Sequence, residues 1–201
     1  AGAARAVKLA VFSCSNYPAG YFNAYADAAR IDDLDAAVHL GDYIYEYDRG
    51  GYASQRAAEL GRLSEPDAEL LTLAHYRRRH AQYRSDPDLQ ALTAKVPLIA
   101  VWDDHEIANN AWREGAENHQ PATEGEWAAR RAAAIRAYYE WLPIREVQPG
   151  RPERIFRSFD FGTLLSLHML DTRLVGRDEQ LSYANFLTPT GLNAAAFAAA
   201  V

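Results

Sequence analysis

Four stretches of this 201-residue chain gather side chains that hold cations or move protons, and each directly follows a short apolar run. Ser13-Cys14-Ser15-Asn16-Tyr17 follows "VKLAVF", and Gly41-Asp42-Tyr43-Ile44-Tyr45 follows "LDAAVHL". Asp103-Asp104-His105-Glu106, with Asn109 and Asn110 one turn further on, follows "VPLIAVW". Asp171-Thr172-Arg173 ends the run "SLHML". Thiol, carboxylate, phenol, imidazole and guanidinium together have the composition of a metal site with an anion-binding rim. Carboxylates crowded at one edge resist joint ionisation, and a metal cation is the simplest compensation. Gly41 permits a sharp turn, Asp42 offers two oxygens, and Tyr45, three positions on, returns to the same side. A tyrosine ionises near pH ~10 unaided, so a phenolate ligand needs a strongly polarising ion such as ferric iron.

Each feature also has a plainer explanation. Gly-Asp after a strand commonly makes a turn. Asp103 or Asp104 can cap a helix over "HEIANNAW". A single histidine is often structural, and a single cysteine is usually a small buried hydrophobe unless a cation sits beside it. What favours chemistry is that four strand ends in succession carry such groups.

The elements that must position them read as follows. Val7 to Ser13, the run before Gly41 and Val96 to Trp102 are short buried strands, and "GYFNAYADAARI" is a helix. Ser64-Glu-Pro-Asp67 opens a helix running to about Tyr83, and Ser85-Asp-Pro-Asp88 opens a shorter one. Thr123-Glu-Gly-Glu126 reads as a capping box before a helix whose apolar stripe is Ala128, Ala132, Ile135, Tyr139 and Leu142, ended by Pro143. "RIFRSFDFGTLLSLHMLD" is a hairpin turning at Phe161-Gly162-Thr163, and "LNAAAFAAAV" is a helical tail. Strands alternating with helices imply a parallel sheet, which binds ligands beyond the carboxyl ends of its strands.

Composition narrows the function classes. A net charge of −6 argues against nucleic acid or anionic membrane as a general partner. It leaves room for a phosphate-bearing substrate, because a bound metal outweighs the global sign locally. No apolar run approaches the ~18–20 residues of a membrane span, and no signal peptide is evident at the start. Cys14 is the only cysteine, so no internal disulfide forms. Repeats, low-complexity linkers and a domain boundary are all lacking, so residues 1–201 are expected to form one domain.

Gly41, Asp42 and Tyr45 in GD-x-x-Y spacing, followed by Asp103 to Glu106, resemble the calcineurin-like metallophosphoesterases, and within them the purple acid phosphatases. "SCSNY…GYFNAY", "HLGDYIYEY", "WDDHEIANN" and "LDTRLVGRDEQL" closely resemble the alkaline phosphatase D, or PhoD-like, family. The likeness runs in order over nearly the whole chain. It implies an α/β fold, a metallophosphoesterase β-sandwich flanked by helices (αββα), with its first half in this chain. It implies Fe³⁺ paired with one or two Ca²⁺ ions, and hydrolysis of phosphate mono- and diesters on small-molecule, lipid or polymer substrates. Periplasmic or secreted location is implied as well. Carried over by position, Cys14 and Tyr45 bind iron, Asp42 bridges the metals, and Asp104 binds the second ion. His105 sits beside the phosphate as general acid or transition-state stabiliser. Asn16, Asn110 and Arg173 complete the rim, Asn110 on the metal side and Arg173 on the catalytic side. The family extends well past this chain, so the domain is expected to be incomplete at its carboxyl end, with further ligands beyond residue 201. Two readings compete: a two-metal nuclease or nucleotide phosphodiesterase on the same scaffold, and a non-catalytic metal- or ligand-binding module. A generic α/β domain would instead use Tyr17, Tyr21, Phe22, Tyr43, Tyr45 and Tyr47 purely for packing.

Overall fold

A computed structural model describes residues 6–200; residues 1–5 of the amino terminus and Val201 of the tail lie outside them. The three apolar runs form strands β1 (Leu9–Phe12), β2 (Ala36–His39) and β3 (Leu98–Ala100). They make one parallel sheet in the order β1-β2-β3, in a register that sets Val11 beside Val38 and Val38 beside Ile99. All four residues of the central strand β2 are buried, which explains the apolar Ala36-Ala37-Val38, while the fourth, His39, meets Ser15 Oγ (3.0 Å) and Tyr25 OH (2.9 Å). Helix α1 (Asn23–Ala29) connects β1 to β2, while α2 (Leu73–Arg84) and α3 (Pro87–Lys95) lie between β2 and β3. Packing pairs α1 with α3, and α2 with the later α5 (Trp127–Trp141), which follows a single helical turn, α4 (Pro121–Glu124). The hairpin β4 (Arg157–Phe161) and β5 (Leu165–Met169) turns where expected and forms its own sheet. Its alternate residues Phe159, Phe161 and Leu167 pack on the core, while Ser158, Asp160 and Ser166 face out. A two-stranded ladder, β6 (Leu187–Thr188) with β7 (Gly191–Leu192), precedes the tail helix α6 (Ala194–Ala200).

Several local expectations give way to tertiary partners. Ser64 starts no helix; α2 begins at Leu73, capped by Thr72, whose hydroxyl accepts from His75 N at 3.3 Å. The segment before it is bonded elsewhere. Arg79 donates to the carbonyls of Glu65 (2.9 Å) and Pro66 (3.3 Å), and Leu70 N donates to Glu46 O (2.9 Å). By contrast Asp86 caps α3 as its sequence indicates, accepting from Asp88 N and Leu89 N. The capping box at Thr123 does not form. Gly125 turns the chain at φ 83°, Glu126 occupies the cap position of α5, and Glu124 turns instead to Gln120 N and Arg130. The buried face of α5 carries Trp127, Arg130, Ala134, Ala137 and Tyr138 with Ile135, so Ala128 and Ala132 of the expected stripe are exposed. Nor is there a helix over "HEIANNAW": only the turn bonds of Ile107 N and Ala108 N to Asp104 O form.

Candidate metal centre

The loops beyond the three parallel strands are bonded to one another. Cys14 N donates to Gly41 O (3.1 Å) and Ser15 N to Asp42 O (2.8 Å), joining the β1 and β2 loops. Glu106, wholly buried, accepts from Tyr43 N (2.5 Å) and Asp103 N (2.9 Å), joining the β2 and β3 loops. Gly41 sits at φ 114°, and a Cβ there would lie 2.2 Å from Asp103 N, so only glycine lets these loops approach. Cys14, Asp42 and Asn110 adopt left-handed backbone at φ 59°, 54° and 51°. Such strain concentrates where the surrounding structure enforces a functional geometry.

This framework brings most of the expected ligands together. Asp42, Asp104 and His105 each place a ligand atom within 4.8 Å of the others. Cys14 Sγ and Tyr45 OH approach Asp42 Oδ2 at 3.4 and 3.3 Å, while Asp42 Oδ1 is buried with no hydrogen-bond partner among the described residues. Cys14 is exposed, a rim group and not a core hydrophobe. Asn110 meets the cluster through its backbone: its N–H donates to Asp104 Oδ2 at 2.5 Å, whereas its side-chain amide is turned to Glu117. Asn16 donates to Tyr52 O at 2.8 Å. Arg173 grips Asp103 in bidentate fashion (2.5 and 3.0 Å), lies 3.5 Å from Asp104 Oδ1, and keeps a third nitrogen, Nη1, without a partner. Asp103 is therefore an arginine partner and not a helix cap.

The electrostatics are those of a site short of positive charge. Burial raises the Asp42 carboxyl; His105 opposes this, and Asp104 and Asp103 reinforce it. Tyr45 is pushed far up by burial and then by Asp42 and Cys14, and the Cys14 thiol, although the residue is exposed, is raised first by partial desolvation. A cation placed among these groups would reverse all three effects. Burial alone would lower His105, but the hydrogen bond and charge of Glu46, then Asp104 and Asp42, raise it to about 9. A thiol, a phenol and two carboxylates, one with an unpartnered buried oxygen, fit a metal. The thiol and phenol suit iron, and the carboxylates suit a harder, oxygen-seeking ion.

Glu46, which the sequence singles out for nothing, and Tyr47 and Glu106, which it offers only as packing and as part of the Asp103–Glu106 block, all shape the site. Their one legible signal was a pair of acids, in "YEY" and "DHE", inside segments that are otherwise buried.

A sequence model of the PhoD-like phosphatase family matches residues 9–199. The chain is 43% identical over 174 residues to alkaline phosphatase D of Bacillus subtilis (strain 168), covering 86% of this chain and 29% of that protein. A solved structure described as the structure of PhoD superposes with a TM-score of 0.76 at 43% identity, covering 87% of this chain and 32% of that one. The chain thus spans less than a third of the length of these relatives. With the three-strand scaffold and the loops at its carboxyl edge in place, the match over residues 9–199 establishes that this chain belongs to the PhoD-like phosphatase family.

Proposed function

We propose that this chain carries a metal-dependent phosphoric ester hydrolase site for mono- and diesters. The observation that supports it is the convergence of Cys14, Tyr45, Asp104 and His105, from three strand ends, on Asp42, whose Oδ1 has no partner among the described residues. Cys14, Tyr45 and Asp42 would hold Fe³⁺, and Asp42 with Asp104 would hold a second ion, Ca²⁺, with Asn110 contributing at the rim. Cations held there would supply charge neutralisation for a phosphate and a more acidic bound water. Remaining ligands fall, on this reading, in the part of the relatives that this chain does not span.

The chain's own residues supply the rest. His105 stands beside both carboxylates, where it can protonate the departing alkoxide or hold a phosphate oxygen. Arg173 anchors Asp103, which keeps that acid out of the metal cluster, and its free Nη1 is a donor for a phosphate oxygen. The reading extends to small-molecule, lipid or polymer esters outside the cytoplasm, a placement resting on the family likeness. No helix among the described residues is long and apolar enough to cross a membrane.

Elemental analysis combined with hydrolysis of p-nitrophenyl phosphate and its bis-ester tests this. Asp42→Ala should lose bound iron and turnover together. A D42A protein that keeps both would overturn the assignment.

A further inference from the structure

The His105 imidazole is clamped by three consecutive residues of the β2 loop. Tyr45 stacks on it with centroids 4.3 Å apart, Tyr47 tilts against it at 5.4 Å, and between them Glu46 Oε2 meets His105 Nδ1 at 2.7 Å. Glu46 is wholly buried, and its two oxygens divide their work. Oε1 accepts from Asn109 N (2.7 Å) and Asn118 Nδ2 (3.0 Å), which anchors the side chain. Oε2 has His105 as its partner. The backbone around Glu46 is equally fixed. Buried Arg79 donates to the carbonyls of Tyr45 and Tyr47 (the latter at 2.8 Å), and Leu70 N donates to that of Glu46 itself at 2.9 Å.

We propose that Glu46 is the positioning residue of this site, holding the His105 ring in one orientation, with Nδ1–H toward Glu46 and the Nε2 edge left for a ligand. The physical reason is the directionality of the bond. An ionised, buried carboxylate only accepts, so Nδ1 must carry the hydrogen and Nε2 is the nitrogen left to face a ligand. Partners of this kind, bonded to a functional histidine, typically account for about 10–100-fold in activity. The catalytic consequence rests on the hydrolase reading; the orientation does not.

Glu46→Gln separates positioning from scaffolding. The glutamine oxygen can keep both anchoring bonds, leaving its NH₂ to face the His105 Nδ1–H, a donor against a donor, so that the ring must turn or give up that hydrogen. Expected is a fall in kcat of about 10–100-fold with KM and metal content unchanged. In a His105→Ala background the same change should cost less than about twofold, because the two residues act as one unit. An equal cost in both backgrounds would show a purely structural role and overturn the proposal. Should the wild-type protein hydrolyse no phosphate ester, the hydrolase reading fails separately, and the orientation is judged by crystallography of Glu46→Asp. Withdrawing the carboxylate by one methylene should rotate the His105 ring or spread it over two conformers. An unmoved ring would refute the clamp.

Discussion

Cys14 and Asp42 stand 28 positions apart, yet their side chains meet at 3.4 Å, and both sit on left-handed backbone. Neither conformation is one that its residue type prefers. The pair persists because Cys14 N and Ser15 N donate across to Gly41 O and Asp42 O, tying two strand ends into one unit. That unit is the part of the site that depends least on anything outside the parallel sheet.

Gly41 is where this unit meets the third strand. Gly41→Ala would drive a methyl group to 2.2 Å from Asp103 N at a φ of 114°. The strain alone costs on the order of 1–3 kcal/mol, and the overlap adds to it. Urea unfolding should show a lowered midpoint and elemental analysis a loss of bound metal. A variant of wild-type stability would mean the loops are not in contact.

Glu106 is the second tie. Glu106→Ala leaves the N–H groups of Tyr43 and Asp103 without their acceptor, at about 1–3 kcal/mol each if they stay buried. Amide hydrogen exchange should accelerate at those two positions first. Unchanged protection there would show that the carboxylate does not join the loops.

His105 and Arg173 should separate in kinetics. His105→Ala should spare the metals and lower kcat by about 10²–10⁴-fold, as for loss of an acid–base group. Arg173→Lys keeps the charge but loses the forked grip on Asp103, and should raise KM by about tenfold or more, the worth of one charge-assisted hydrogen bond. If both changes altered only kcat, Arg173 would not be a binding group.

His80 sets an acid limit on the fold. It is fully buried beside Tyr43 and Tyr138, neither ring nitrogen has a partner among the described residues, and burial, then repulsion from Arg84 and Arg79, depresses its pKa to about 3. The unfolded chain, with an ordinary histidine near ~6.5, binds the proton more readily. Between those values stability must fall as pH falls, by up to about 1.4 kcal/mol per pH unit for this one group. His80→Phe should flatten the dependence of the urea midpoint between pH 6.5 and 4. His39, also depressed to about 3 by burial, keeps part of the slope. Identical slopes in variant and wild type would rule out His80 as the sensor.

The strands, their parallel order and the cluster at their ends were legible because they rest on local signals. Short apolar runs specify strands, although β1, expected to be buried, lies at the sheet edge with Val11 exposed, and a glycine before an acid specifies a turn. That the side chains at successive strand ends share one edge follows from parallel topology itself. The helix starts were less legible. Ser64 and Thr123 have the right residue types for caps, but Arg79 and Gly125 commit those segments to other conformations. Asn110 shows the same limit at the site, since its amide is drawn off by Glu117 and only its backbone reaches Asp104.

Sequence alone, then, determined which donors stand at the strand ends and that they face one edge, since strand direction and side-chain type are properties of neighbouring residues. Tertiary structure decided how those donors are aimed. Glu46 reaches Asn109 across 63 positions and His105 across 59, and Arg173 reaches Asp103 across 70. Bonds of that span depend on how separate elements pack, and no local periodicity encodes them.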